Sequence, residues 1–531
     1  MLISGTTVAL SLFMLWWILL LSLDKRGTLE SYNLQAWGPI LMVRTTRGLN
    51  FLDAASRFKR FWWCFGTVGV LFMLFGMVII FTLVLFSDII MLTSMPEPTI
   101  VNEPRNWLLI PGVNEFIPAW GWVGLLVTLV VHELAHGILA RREGVRVKSM
   151  GLLLALIPIG AFAEPDEEEL FGSKDGKKPS IISAEGRNRI LAAGVMSNFV
   201  VAAIAFALFF GPTLSALEPT GENVVIAEVF EEFKQMGIEE KMIVTSINGA
   251  VIGSTDDISR VGVGADGLMQ VEVLDRGVSS EFTLEVEDGV LIRDVFEDNP
   301  AFAAGIEPDL RILAIDGAKI HTAGDFYDFM ADTKPHDLIS IATVDGAGEA
   351  RLFEVELGEF PDPEEEKGYL GIVVYNTPFG MVGEFSAETY LSGLKDLPKS
   401  FFGWILLMAL PVIPAAQGGF GGFGDWLMQF YTPTVGGVWT FYLANALFWI
   451  GWINFYAGLF NCLPAVPLDG GYIFREMVNK LTRFFTPDPE RQEKITDMLT
   501  LGIALFILAS IIFMLIGPYL VEYLRASCGL G

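Results

Sequence analysis

Histidine is scarce in this chain: His132, His136, His321 and His336 are the only four in 531 residues. Cysteine is scarcer still. Cys64, Cys462 and Cys528 stand far apart and form no C-x-x-C, which argues against both a disulfide framework and a thiolate zinc site. Positive charge is also short. Thirty-five Lys and Arg against 62 Asp and Glu leave a net charge of −27, with no basic patch for phosphate contacts, so nucleic acid is not an expected partner. The first apolar run, about residues 6–23, has no basic segment before it and no small-residue cleavage site after it. It reads as an anchor, not as a cleaved signal peptide.

What the chain has in abundance is apolar sequence: 52% of residues are hydrophobic and the mean hydropathy is +0.49. A soluble protein of this length is rarely so apolar. Six runs are long enough to span a bilayer, at about 6–23, 61–86, 120–140, 190–210, 440–460 and 498–516. Lys25, Arg26, Arg44, Arg47, Arg57, Lys59 and Arg60 lie between the first two, which makes that loop cytoplasmic and the N-terminus external. The third run then ends at the cytoplasmic face, at Arg141-Arg142, and the fourth runs outward. The expected fold class is a polytopic α-helical membrane protein with about six transmembrane helices, a membrane-embedded hairpin and an extracytoplasmic α+β insertion.

Two of the four histidines fall in the third run, in His132-Glu133-Leu134-Ala135-His136. Residues four apart share one face of a helix. Neutral imidazoles so placed can share a zinc ion, and Glu133 can serve as general base. Ionisable groups inside an apolar helix cost roughly 2.5–3.5 kcal/mol each, so they suggest a site. The stretch 149–165 is too short to span comfortably and carries Pro158 and Gly160. It reads as a hairpin centred on Pro158-Ile159-Gly160, with an edge strand that can accept an extended peptide or merely packs. A polar cytoplasmic loop with Lys174, Lys177 and Lys178 follows. In the fourth run, Gly194-Val-Met-Ser197-Asn198 permits close helix packing. Asn198 is a candidate to bind substrate backbone or brace the site; an ordinary interhelical hydrogen bond is the plain alternative.

Residues from about 217 to 397 are acidic and hold short alternating runs. An internal repeat lies there: Val225–Phe230, Gly237-Ile238 and Ser246-Ile-Asn-Gly249 recur as Leu291–Phe296, Gly305-Ile306 and Ala314-Ile-Asp-Gly317. The apolar but interrupted region 401–430 is expected to make no full crossing and to form an interfacial or gating segment. A second motif, Asn461-Cys-Leu-Pro-Ala-Val-Pro-Leu-Asp469-Gly-Gly471, closes the fifth run. Its prolines break a helix and its glycines allow a tight turn at membrane depth. Asp469 supplies a carboxylate that the two histidines lack. Glu164, downstream of His136, is a second carboxylate at a distance some soluble metalloproteases use, and ranks below Asp469.

With both motifs in view, the chain resembles the site-2 protease family of intramembrane zinc metalloproteases. The stretch Trp449-Ile-Gly-Trp-Ile-Asn454 resembles archaeal members. The second repeat, with Asp298-Asn-Pro-Ala301 and Ala304-Gly-Ile-Glu-Pro308, resembles a PDZ domain of the bacterial protease type. Gly368-Tyr-Leu-Gly-Ile372 is similar to the carboxylate-binding strand of that family in its permuted form. The resemblance implies one zinc on His132, His136 and Asp469, Glu133 as base, and a hairpin that pairs with an unwound substrate helix. By motif position, Asn461 would bind substrate backbone or help hold the active-site loop. The substrates implied are single-span membrane proteins, trimmed beforehand outside, in regulated intramembrane proteolysis. The tandem PDZ-like insertion would bind peptide C-termini or act as a size filter. Expected boundaries are 1–118 for two N-terminal helices, 119–215 for the first half of the core, 216–288 and 289–385 for the PDZ-like domains, 386–436 for the gating segment and 437–531 for the second half. A catalytically silent scaffold and a metal transporter are the alternatives. The intact first motif with Asp469 disfavours the scaffold, and the lack of further intramembrane His or Asp along a path disfavours transport.

Overall fold

The structure is a computed structural model that describes residues 5–46, 48–94, 96–107, 110–173, 179–264, 266–362, 365–413 and 419–528. Arg47, Lys174, Lys177 and Lys178, named above, lie outside the described residues. The chain divides into two compact units. The membrane unit comprises Met1–Thr213, Trp404–Gly422 and Tyr442–Gly531, and the insertion unit comprises Leu214–Gly403 and Phe423–Phe441.

In the membrane unit, the first apolar run forms α1 (Gly5–Lys25). The basic loop after it is not irregular: it folds into β1 (Leu34–Trp37) and β2 (Ile40–Thr45). Then come α2 (Lys59–Ser94), α3 (Gly121–Glu143), β3 (Val147–Ala155), β4 (Ile157–Pro165) and α4 (Ala184–Leu208). The chain returns with α5 (Val438–Asn461), α6 (Asp469–Thr482) and α7 (Pro489–Cys528). Among the described residues, five helices are long and apolar enough to cross a membrane: α2, α3, α4 with the turn that follows it, α5 and α7. The chain is therefore a multi-pass helical membrane protein with an α+β insertion.

Glycine sets the closeness of the helices. A Cβ on Gly69 of α2 would stand 3.1 Å from the Ala192 carbonyl oxygen of α4, and one on Gly124 of α3 would meet the Trp449 carbonyl of α5 at 2.5 Å. Such close approach is how helices gain packing where lipid removes the hydrophobic drive.

The expected hairpin forms, but its reversal falls at Leu156, with φ 69°, not at Pro158-Ile159-Gly160. Pro158 belongs to β4 and is paired with Leu154. The hairpin is also half of a larger sheet, ordered β1-β2-β3-β4, with β4 at its open end. Within 401–430, the helix Phe401–Ala409 has nine residues. At 1.5 Å per residue it is about 13.5 Å long, against a hydrocarbon core of about 30 Å. Its Met408 carbonyl accepts from Trp452 Nε1 at 3.0 Å and Tyr456 Oη at 3.1 Å, so α5 holds it in place.

In the insertion unit the repeat is structural. β5 (Glu222–Val229), β6 (Ile243–Ile247), β7 (Leu268–Asp275) and β8 (Val278–Glu285) form one sheet. β9 (Val290–Val295), β10 (Arg311–Ile315), β11 (Leu338–Val344) and β12 (Ala350–Glu356) form another in the same order. The Asn248-Gly249 and Asp316-Gly317 turns have φ of 49° and 77°, and 50° and 77°. Positive φ at both central residues is the hairpin geometry that Asn-Gly and Asp-Gly favour. Each sheet has its own core, around Val224, Ile226 and Val271 in the first and Ile292, Ile312 and Ile341 in the second.

The closing strands correct one expected boundary. β13 (Ile372–Val374) completes the second sheet against β9, while β14 (Gly380–Ser386) pairs with β5 of the first. Residues 380–385, assigned by sequence to the second repeat, therefore belong to the first, and the second module is inserted within the first. Alternating apolar residues identify a strand but carry no record of its partner.

Candidate active site

α3 presents His132 and His136 one turn apart, as their spacing requires, with Nε2 atoms 3.1 Å apart. Asp469 is the first residue of α6, and its Oδ2 lies 3.2 Å from each Nε2. These side chains are only 12–15% exposed. Among the described residues, they form a group whose donor atoms could hold a metal ion. Asp469 Oδ2 is buried and makes no hydrogen bond, although two ring nitrogens face it. The spacing fits a metal: bonds of about 2.0–2.1 Å in a tetrahedron put neighbouring ligand atoms about 3.3 Å apart. Two imidazoles and a carboxylate suit zinc, with a fourth position left open.

The face of α4 that holds Ile190, Gly194, Ser197 and Asn198 supports this group, since these positions follow helical spacing. The Ile190 carbonyl lies 2.7 Å from His136 Nδ1 and accepts its proton, so the Nε2 lone pair is left for the centre. A Cβ on Gly194 would lie 2.5 Å from His136 Nε2 and 2.7 Å from His132 Nε2. Any side chain there would fill the space the donors enclose. Ser197 Oγ lies 2.7 Å from the Gly194 carbonyl of its own helix and 3.1 Å from the Val131 carbonyl of α3, so its one proton serves both where the two helices meet.

Asn198 is fully buried, with its amide 3.2 Å from His132 Nδ1. With Nδ2 toward the ring, Oδ1 is a buried oxygen without a partner. Turning the amide over makes Oδ1 the acceptor of an Nδ1 proton, the tautomer in which His132 Nε2 is free to bind metal.

Glu133 points to the sheet. Its Oε2 accepts from the backbone N–H of Ala163 on β4 at 2.8 Å. Asp469 is placed by the turn before it: a Cβ on Gly470 would lie 2.5 Å from the Cys462 carbonyl oxygen, and one on Gly471 2.4 Å from the Ala465 carbonyl carbon. The two glycines let α6 start directly against this turn. Glu164, the other candidate carboxylate, instead accepts from Ser149 Oγ at 2.5 Å and lies 3.9 Å from Arg44. Asn461 ends α5 half-buried, and among the described residues it makes no hydrogen bond to the three donors. His321 and His336 lie exposed in the insertion unit, beside Asp288 and Glu356.

Sequence reasoning missed three participants: the Ile190 carbonyl, the Ala163 N–H and the particular role of Gly194. The first two are backbone groups and leave no mark on residue type. Gly194 lies four residues before Asn198, and only the phase of α4 against α3 shows that it faces the imidazoles.

Comparison with known proteins finds likenesses to these elements. The model for peptidase family M50 matches residues 120–284 and 425–509. An uncharacterized protein of Methanocaldococcus jannaschii is 32% identical over 246 residues, 45% of this chain and 60% of that protein. The protease RseP of Yersinia pestis is 27% identical over 219 residues, 35% of this chain and 45% of that protein. The matches thus span less than two thirds of either relative. The PDZ domain of an SdrC-like protein of Listeria monocytogenes is 25% identical over 17% of this chain and 88% of that structure, with a TM-score of 0.15, too low to carry an argument. The first matched stretch holds His132, Glu133 and His136 and the second holds Asp469, so all four residues lie where this chain is similar to peptidase family M50.

Proposed function

We propose that this chain is an intramembrane zinc endopeptidase of the site-2 protease type that cuts transmembrane helices of single-span proteins. The observation that carries this is the meeting of His132, His136 and Asp469, with Glu133 beside them and bonded to an open sheet edge. A zinc ion on those three residues would act as Lewis acid toward the scissile carbonyl. Glu133 takes a proton from the attacking water and passes it to the departing amine nitrogen, as general base and then general acid. Gly194 keeps the donor space clear, and Ile190 and Asn198 orient the two imidazoles. A helix engages its own carbonyls in hydrogen bonds, so the substrate must unwind, and β4 offers an edge for the extended chain. Asn461 remains a candidate contact to substrate backbone.

In this reading α1 joins the five apolar helices as a sixth span. Lys and Arg between α1 and α2 and after α3 put those ends in the cytoplasm of a cell membrane, with the active site toward that side. The N-terminus and the insertion unit are then outside, where the two modules bind peptide C-termini or bar intact ectodomains. Substrates trimmed beforehand would enter, as regulated intramembrane proteolysis requires. The test is a detergent cleavage assay on a panel of single-span helices, with Glu133→Gln beside wild type. The variant is expected to lose turnover at least 100-fold, in line with general-base catalysis. Equal turnover by both proteins, or none by wild type, overturns the reading.

A further inference from the structure

We infer that the hydrogen bond from Ala163 N–H to Glu133 sets the substrate register, so that the bond cut follows the residue paired opposite Ala163. This rests on the endopeptidase reading above and concerns the same site.

Among the described residues, β4 ends its sheet and pairs only with β3. In an antiparallel ladder, alternate residues turn both backbone groups toward the neighbour or both away. The Ala163 N–H reaches Glu133, so Ala163 faces away from β3. Ala161 must face away too, while Phe162 and Glu164 face β3. This outward edge is short. Below Ala161 the pairing shifts from Leu153↔Gly160 to Leu154↔Pro158, which leaves Ile159 as an extra residue and then a proline with no N–H. Above Ala163 comes Pro165, again without an N–H, and then Asp166, whose N–H bonds the Arg146 carbonyl.

The edge therefore offers two groups on Ala161 and only the carbonyl of Ala163. An extended peptide lying antiparallel makes two bonds to Ala161. The peptide residue opposite Ala163 donates its N–H to the Ala163 carbonyl, but its own carbonyl finds no donor, because Glu133 holds the Ala163 N–H. That residue's carbonyl is the one the strand leaves unsatisfied, next to the general base and the three donors. The same bond engages Glu133 through Oε2 and leaves Oε1 for the attacking water. Ala163 is thus a positioning residue, and Ala161 is a docking residue.

The test uses the full-length enzyme with single backbone amides changed to esters by α-hydroxy acid incorporation, which deletes one N–H and keeps the side chain. Ala163→lactic acid is expected to lower kcat about tenfold or more, with KM and bound zinc unchanged. Ala161→lactic acid is expected to raise KM with kcat kept. In a Glu133→Gln background that traps substrate, Ala163→Cys should cross-link best to a single-cysteine substrate whose cysteine immediately precedes the cut bond. Unchanged kcat in the Ala163 ester, the same KM rise in both esters, or cross-linking that peaks elsewhere overturns the register. Each of these is distinct from failure of the endopeptidase reading, in which wild type cuts nothing.

Discussion

The two units treat buried polarity in opposite ways. In the insertion unit, both sheets close over apolar cores, and Ser254 and Thr322 each cap a helix through a reciprocal bond with an aspartate three residues on. In the membrane unit, polar side chains are buried within and between apolar helices. Asn198 and Asn454 are fully buried, and Ser510 donates to Asp88 at 2.7 Å between α7 and α2. Burying a polar group without a partner costs several kcal/mol. The capping residues of the insertion unit therefore report on a turn, whereas the buried polar residues of the membrane unit point to whatever they are paired with.

The sharpest way to break this contrast is to remove a donor. Asp469→Ala is expected to abolish both stoichiometric zinc and cleavage while helix content by circular dichroism stays at the wild-type level, since the lost group serves the site and not the packing. Metal analysis of the purified variant decides it. Retained stoichiometric zinc would mean that another carboxylate completes the set.

The converse variant lies in the insertion unit. Ile312 is fully buried in the core of the second module, and Ile312→Ala is expected to cost that module about 2–5 kcal/mol. Proteolysis of the full-length protein over time reads the opening of the module. Zinc content should not change. Loss of metal in this variant would show that the two kinds of polarity are not independent.

How much of this was legible differs between the same two regions. The motif residues that converge are those whose spacing singled them out, because helical periodicity is local and survives in sequence. Strand partnership does not. β1 and β2 lay unseen in a basic loop, as their pairing with β3 joins residues about a hundred apart. β14 read as part of the repeat it follows, yet it closes the repeat before it. The hairpin's reversal was placed at Pro158 on the strength of a turn-forming residue type, but φ 69° is adopted by Leu156. The proline's missing N–H costs nothing on an open edge strand, so it was no evidence for a turn.

Asn198 is where the contrast gives its smallest and most discriminating effect. Its partner is a ring nitrogen of His132, on the side away from Asp469. If the amide oxygen holds the Nδ1 proton, Asn198→Ala weakens zinc binding about 10–100-fold, the usual cost of losing such an outer partner. Chelator competition measures this without any substrate. Asn198→Asp keeps an acceptor at the same reach and should recover most of the affinity. A substrate-binding role gives the other pattern: zinc affinity is unchanged in both variants and KM rises. The fully buried position of Asn198 favours the first outcome, because a side chain with no exposed surface reaches a substrate only after α3 or α4 moves.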